Sequence, residues 1–208
     1  MPPLAAKPAD AAVGECLWLA QYFERYRTAL FETDVNEQLV RLKQLLIDTH
    51  AQGRKTIFAG NGGSAAIASH CAVDFTKNAR VRCVNFNEAD LITCLANDYG
   101  YERWLAKALQ FYADPGDVVI LISSSGASRN MVEAARYARR KGLAVVTFTG
   151  FAEGNPLKLA GQVNFWINSR AYNIVEMTHH IWLLALCDLI IGSAEYLAQR
   201  PDDDDEPR

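Results

Sequence analysis

Residues 56–74 (TIFAGNGGSAAIASHCAVD) constrain the fold of this chain more than any other stretch. An apolar run breaks at Asn61, Gly62, Gly63 and Ser64 and continues as an alanine-rich helical pattern, which predicts a strand, a glycine turn and a helix. Glycines adopt torsions that a Cβ resists, so several N–H groups can converge at the positive end of the helix. The turn therefore predicts an anion-binding site. It matches neither the dinucleotide fingerprint nor the Walker loop, whose spacings it lacks.

A second turn of the same kind follows residues 117–122 (DVVILI), which are apolar after Asp117. The motif SSSGAS at residues 123–128 precedes a helical pattern over residues 130–141. Its hydroxyls, together with backbone N–H groups at a helix start, are neutral donors suited to a phosphate. They belong to Ser123, Ser124, Ser125 and Ser128. The alternative, that these serines serve only as helix caps or loop residues, stays open at this point.

Strand and helix patterns alternate through the rest of the chain. Apolar runs predict further strands at residues 80–86, 143–149 and 162–167, and helical spacing predicts helices at 102–112 and 175–192. The alternation predicts a largely parallel sheet that is covered by helices on both faces. Ligands of such sheets bind beyond the carboxyl ends of the strands, where both loops lie.

The ends of the chain differ from this alternating part. Amphipathic patterns at residues 15–32 and 35–52 precede the first strand, so they are not crossover helices and are expected to cover the sheet or a partner subunit. Residues 1–14 predict a mobile leader, and the acidic residues 199–208 predict a disordered tail. Half of the 208 residues are hydrophobic, which predicts one globular domain at residues 15–198.

Charge and cysteine usage limit the classes of partner and compartment. The net charge is −3 with acidic and basic residues interspersed, so no direct nucleic-acid or membrane surface is predicted. The apolar part of the last helical pattern, residues 181–191, is too short for a membrane span and is interrupted by Asp188. The five cysteines are scattered and odd in number, which predicts reduced thiols and a cytoplasmic location.

With both loops in view, the chain resembles the sugar isomerase (SIS) domain family, and within it the phosphoheptose isomerases, which carry a G-N-G-G-S turn and an S-x-S-G-x-S turn. The resemblance runs from about residue 22 to about residue 191 and includes Asn97 and Asp98, similar to an asparagine-aspartate pair near the family's substrate. It implies a single α/β SIS domain, with a five-stranded parallel sheet flanked by helices in a flavodoxin-like three-layer sandwich and an N-terminal helical hairpin. It also implies a homotetramer that isomerises sugar phosphates.

The resemblance implies a zinc and acid-base site, and here the chain departs from the family. His70 and Asp74, four residues apart on one helix face, are the implied metal ligands, although the family has glutamate at the position of Asp74. When the last helix is aligned on the shared Glu176, Val175 and Leu183 replace the family's glutamine and histidine. Valine and leucine neither bind a metal nor transfer a proton, so zinc is expected to be weak or absent.

His179 lies four residues from each of the two replaced positions, so helical spacing places it on the face between them. We predict that it takes their role, with Asp74 and Glu176 as the other catalytic residues. The alternative for His179, and for His180, is a histidine packed in the core or at a subunit contact. Substrate and phosphate binding is predicted at Asn61, Gly62, Gly63, Ser64, Asn97, Asp98, Ser123, Ser124, Ser125 and Ser128.

These interpretations predict a phosphosugar-binding protein that acts as an aldose-ketose isomerase, converting sedoheptulose 7-phosphate to a heptose 7-phosphate. The reaction moves a proton between the carbons next to the carbonyl, and it needs a base and a group that stabilises the enediolate oxygen. The alternative is a non-catalytic SIS protein that binds sugar phosphates or associates with a bacterial replication initiator. The features that favour this alternative are Val175 and Leu183.

Overall fold

A computed structural model describes residues 9–196, which form five strands and eight helices. The strands are β1 (Thr56–Gly60), β2 (Cys83–Asn85), β3 (Val118–Ser123), β4 (Ala144–Thr149) and β5 (Val163–Trp166). The helices are α1 (Ala9–Phe31), α2 (Asn36–Ala51), α3 (Gly63–Lys77), α4 (Ala89–Tyr99), α5 (Trp104–Tyr112), α6 (Arg129–Arg140), α7 (Pro156–Ala160) and α8 (Tyr172–Ile191). The strands and helices alternate from β1 onward, as the sequence predicts.

The strands form one parallel sheet in the order β2-β1-β3-β4-β5. β1 pairs with β3 from Thr56 opposite Val118 to Gly60 opposite Ile122. The chain leaves β1 toward β2 and leaves β3 toward β4, in opposite directions along the sheet. The crevice beyond the carboxyl ends of β1 and β3 is the place where such sheets bind ligands. The predicted α/β fold with five parallel strands is confirmed.

Alternate residues of the strands enter two separate cores. Along β3, Ile120 belongs to a core built with α2, α3 and α8, whereas Leu121 belongs to a core built with α5, α6 and α7. Both side chains are fully buried, as expected when helices cover both faces of a parallel sheet. Burial of one such side chain stabilises the fold by about 1.5–3 kcal/mol. The two cores therefore hold the loops at the end of the sheet in fixed positions.

The two helices before β1 have different surroundings. α2 covers the sheet through Leu42 and Leu46, which are fully buried. α1 begins at Ala9, earlier than the pattern at residues 15–32 predicts, because the alanine-rich residues 9–13 favour a helix. Residues 1–8, and the tail predicted at 199–208, lie outside the described residues.

α7 is a helix that the hydrophobic pattern does not predict. Asn155 caps it, since its Oδ1 accepts a hydrogen bond from the N–H of Lys158 at 2.9 Å, and Pro156 occupies the first helical position. With five residues, the helix is shorter than the periodic patterns that reveal longer helices. The pair Asn155-Pro156 is the signal that could have predicted it.

α8 meets the length and composition criteria of a membrane-spanning helix. In the fold, 44% of the most apolar 18-residue stretch of α8 is buried inside the protein, and Trp182, Leu183 and Leu186 belong to the core. Core helices of globular proteins meet the same criteria, so this finding is weak support for a membrane location. The apolar character of α8 is explained by its packing on α3 and the sheet.

Candidate functional site

The two predicted loops meet at a cavity of about 120 Å³ beyond the carboxyl ends of β1 and β3. Its walls come from both loops and from the first two turns of α8. The lining residues are Asn61, Ser64, Ile122, Ser123, Ser124, Ser125, Ser128, Tyr172 and Glu176. All of them except Ile122 carry a polar group, so the cavity suits a small polar ligand.

The first loop brings its backbone close to α8. Gly62 has a φ of +55°, a conformation that favours glycine, and α3 begins at the next residue without a side-chain cap. A Cβ on Gly63 would overlap the Glu176 carboxylate, so glycine is required for this approach. The uncapped N–H groups at the start of α3 are the donors that an anion at a helix N-terminus uses.

The second loop leaves its serine hydroxyls available. Ser128 is the N-cap residue of α6, but its side chain makes no capping hydrogen bond. The Ser123 hydroxyl donates to Ser128 Oγ at 3.5 Å, and Ser125 Oγ accepts from the N–H of Ala127 at 3.2 Å. Capping therefore does not explain Ser128, and the hydroxyl protons of Ser125 and Ser128 are free to donate to a ligand.

A pair of side-chain amides joins the two loops. Asn61 Nδ2 donates to Asn130 Oδ1 at 2.9 Å, and Asn130 Nδ2 donates to Asn61 Oδ1 at 2.8 Å. The Tyr101 hydroxyl donates to the same Asn61 oxygen at 3.3 Å. The sequence pattern missed Asn130 and Tyr101, although a buried asparagine in the first turn of a helix is a signal for such a partner. The pair fixes the distance between the two loops.

Glu176 contacts both loops from α8. Its Oε1 accepts a hydrogen bond from the Ser124 hydroxyl at 3.3 Å, and its carboxylate lies against Gly63. A carboxylate can only accept, so Glu176 holds the Ser124 hydroxyl in one orientation. Tyr172, one turn earlier on α8, lines the same cavity and was missed by the sequence pattern. α8 therefore contributes one wall of the candidate site.

Asn97 and Asp98 lie apart from this cavity. Both are exposed on α4, where Asn97 Nδ2 donates to Asp98 Oδ1 at 3.0 Å. Neither lines the cavity, so their proposed contact with substrate requires a ligand that extends beyond it. Arg129, at the start of α6, is exposed and forms an ion pair with Glu102 at 2.6 Å, which is an ordinary surface pair and contributes little to stability.

Comparison with known proteins identifies the family. The model of the SIS domain matches residues 20–150, more than half of the chain. The chain belongs to the SIS domain family. This finding confirms the resemblance seen in the two loops, and the matched region contains both of them.

Named relatives within the SIS family are phosphoheptose isomerases. The enzyme of Fusobacterium nucleatum is 32% identical over 162 residues, covering 76% of this chain and 83% of that protein. The enzyme of Roseiflexus sp. (strain RS-1) is 38% identical over 122 residues, covering 56% of this chain and 62% of that protein. The solved structure of a phosphoheptose isomerase from Neisseria gonorrhoeae has a TM-score of 0.77 at 26% identity, covering 86% of this chain and 99% of that chain.

The residues of this SIS domain do not fit the implied zinc site. His70 Nε2 lies 3.1 Å from Asp74 Oδ2, and His70 Nδ1 lies 2.9 Å from His180 Nε2, so both ring nitrogens of His70 already have partners. Val175 and Leu183 are fully buried and offer no ligand atom. Among residues 9–196, no group of three or more His, Cys, Asp or Glu side chains is arranged to hold a metal ion.

The predicted catalytic role of His179 conflicts with its position in the structure. Helical spacing does place Val175, His179 and Leu183 on one face, but that face points into the core, and all three side chains are fully buried. His179 Nε2 donates to the Thr149 carbonyl at 3.1 Å, and its Nδ1 is buried without a partner. A side chain without access to the cavity cannot exchange protons with a substrate, so the structure does not support a catalytic role for His179.

Burial of His179 predicts a loss of stability in acid. Burial lowers its pKa from 6.5 to about 4, so the unfolded state binds a proton at a pH at which the folded state does not. The contribution of the uncharged His179 to the free energy of unfolding is complete above pH 6.5. It falls by about 3 kcal/mol as the pH decreases toward 4. Urea unfolding measures the free energy of unfolding of the wild type and of His179→Leu, which cannot be protonated at this position. The value for the wild type minus the value for the variant should decrease by this amount between pH 7 and pH 4. An equal difference at both pH values would contradict the assigned burial.

Proposed function

We propose that this SIS domain is a sugar-phosphate isomerase of the phosphoheptose isomerase type, which interconverts sedoheptulose 7-phosphate and a heptose 7-phosphate. The observation that carries the proposal is the polar cavity between two uncapped helix starts. Phosphate binding there uses the hydroxyls of Ser64, Ser125 and Ser128 together with the N–H groups at the starts of α3 and α6. The relatives named above are phosphoheptose isomerases, which supports the same reaction.

The proposed reaction needs no external oxidant or reductant. A base takes a proton from the carbon next to the carbonyl, and the electron pair of the broken C–H bond forms the enediolate. Return of the proton to the neighbouring carbon exchanges the positions of ketone and hydroxyl. The phosphate in the cavity fixes the sugar relative to α3 and α8, and this positioning is the first contribution of the fold to the rate.

The proposal is tested by following carbon 2 of the substrate. With sedoheptulose 7-phosphate labelled with ¹³C at carbon 2, the ketone signal should decrease while a signal of a hydroxyl-bearing carbon grows. A spectrum that stays unchanged over hours at micromolar protein, while calorimetry shows binding, would contradict the proposed activity. It would support the second candidate instead.

The second candidate is a non-catalytic SIS protein that binds sugar phosphates or takes part in protein association. The observation that favours it is the replacement of two of the family's implied functional groups by Val175 and Leu183, which are part of the core. Such a protein keeps the phosphate cavity and lacks turnover. The carbon-2 experiment separates the two candidates, because both predict binding and only one predicts conversion.

We further propose a homotetramer in the cytoplasm. α1 exposes five large apolar side chains on several sides of the helix, a concentration that monomers rarely leave uncovered. These side chains are Val13, Leu17, Trp18, Leu19 and Phe23. Light scattering should return about four times the 23.1 kDa of one chain, and Trp18→Glu with Phe23→Glu should give a smaller species. Leu159→Glu, at an exposed leucine on α7, is the matched control and should leave the mass unchanged. A wild-type monomer would refute the assembly.

A further inference from the structure

The seam between α3 and α8 holds a row of three polar side chains outside the cavity. His180 Nε2 lies 2.9 Å from His70 Nδ1, and the two rings meet edge to face with centroids 4.8 Å apart. His70 Nε2 lies 3.1 Å from Asp74 Oδ2. The row therefore runs from Asp74 through His70 to His180, with contributions from both helices.

The positions of the protons in this row follow from its partners. A carboxylate only accepts, so His70 must carry its proton on Nε2 and donate it to Asp74. The Nδ1 of a neutral His70 is then an acceptor, which requires His180 to carry its proton on Nε2. His180 Nδ1 is left with a lone pair and has no hydrogen-bond partner among the residues that the structure describes. Asp74 thus determines the tautomer of a ring that it does not touch.

His180 is close to the cavity along the helix. It follows Glu176, which lines the cavity, by four residues, or about 6 Å of rise on the same side of α8. It precedes Leu183, the position at which the family resemblance implies a histidine, by three residues. Its side chain is partly exposed, in contrast to the fully buried His179. Of the two adjacent histidines on α8, only His180 is accessible from outside the core.

The other titratable groups near the seam have partners or are inaccessible. Glu176 accepts from Ser124 inside the cavity, and both nitrogens of His70 are engaged. Cys71 is buried, and burial raises the pKa of its thiol to about 12. An imidazole nitrogen with a free lone pair, such as Nδ1 of His180, is a proton acceptor.

We propose, on the basis of the proposed isomerase function, that His180 Nδ1 is the base that takes the carbon-bound proton, with His70 and Asp74 as positioning residues. The electron pair of the C–H bond forms the enediolate, the proton is held on Nδ1, and it is then returned to the neighbouring carbon. The negative charge of Asp74 stabilises the imidazolium through His70. This arrangement replaces the zinc site that the chain's residues do not fit.

The first test replaces the base. His180→Ala should reduce deuterium wash-in from heavy water into sedoheptulose 7-phosphate by about 10²- to 10⁴-fold, with calorimetric affinity for the sugar phosphate within a few-fold of wild type. Added imidazole should restore part of the exchange, which a purely structural role would not allow. His50→Ala, a histidine at the end of α2, is the matched control and should change neither quantity.

The second test addresses the positioning residue. Asp74→Asn places an amide that can donate to His70, so ¹⁵N spectra of the imidazoles should show a reversed tautomer and exchange should fall, while wild-type His180 should carry its proton on Nε2. Wild-type exchange should also survive dialysis against a chelator. Full exchange in His180→Ala, loss of exchange on chelation, or an Nδ1-protonated His180 would overturn the inference and leave the isomerase function standing. Absence of exchange in the wild type would overturn both.

Discussion

Replacing Ser125 and Ser128 together by alanine should weaken the binding of sedoheptulose 7-phosphate by about 10²- to 10⁴-fold. Both hydroxyls line the cavity, and neither donates its proton in a hydrogen bond that caps α6. Loss of one hydrogen bond to a charged oxygen costs roughly 1.5–3 kcal/mol, so two losses cost roughly 3–6 kcal/mol. Isothermal titration calorimetry measures the dissociation constant directly.

The control for this variant is an exposed serine outside the cavity. Ser193, just beyond α8, donates its hydroxyl to the Glu195 carbonyl, and Ser193→Ala should leave the dissociation constant unchanged. The unfolding midpoints of the variants should stay within a few degrees of the wild type. A double variant that binds within threefold of the wild type would place the phosphate elsewhere.

Gly126→Ala should reduce the free energy of unfolding by about 2–5 kcal/mol and distort the serine loop. Gly126 has a φ of +62°, where a residue with a Cβ is strained by about 1–2 kcal/mol. The added Cβ would also overlap the side-chain amide of Asn155, which caps α7 and is itself buried, and such overpacking costs about 1–3 kcal/mol. Urea unfolding measures the change.

Gly142 provides the matched control for this substitution. Its φ of +74° is close to that of Gly126, but no atom lies near the position of an added Cβ. Gly142→Ala should therefore show the backbone strain alone and bind sugar phosphate normally. Equal destabilisation by the two substitutions would mean that the Asn155 side chain moves to make room for the added Cβ. That result would contradict close packing of Gly126 against Asn155.

The sheet and both loops could be predicted from sequence because their signals are local. A buried parallel strand is a continuous apolar run, and the loops interrupt two of these runs with glycine and serine. Strand order, by contrast, depends on which helix crosses which face. The family resemblance implied a flavodoxin-like three-layer sandwich, and the strand order β2-β1-β3-β4-β5 came from the structure.

The choice between His179 and His180 shows where helical spacing fails. Spacing of four residues indicates a shared face, and Val175, His179 and Leu183 do share one, but spacing does not tell which face packs on the sheet. Val175 and Leu183, one on each side of His179 along this face, were the signal that the face is buried, because an apolar stripe marks the core side of a helix. The contact of His180 with His70 joins residues 110 positions apart, which no local pattern reveals.

The amide pair of Asn61 and Asn130 was unpredictable for a similar reason. Each residue belongs to a different βα unit, and they meet only because β1 and β3 are neighbours in the sheet. Tyr101 joins them from the segment before α5. Polar side chains whose partners lie on other elements become visible only when the fold brings the elements together.

The most direct test of the isomerase assignment is wash-in of deuterium from heavy water into sedoheptulose 7-phosphate with the wild-type chain, followed by proton NMR. We expect deuterium at carbon 1 of the ketose and at carbon 2 of the aldose product, because the proton moves between these two carbons and passes through a base. The variant with alanine at Ser125 and Ser128 should exchange far more slowly at the same substrate concentration. Tight binding of the ketose phosphate with no deuterium at either carbon would contradict the account and identify the protein as a sugar-phosphate binder.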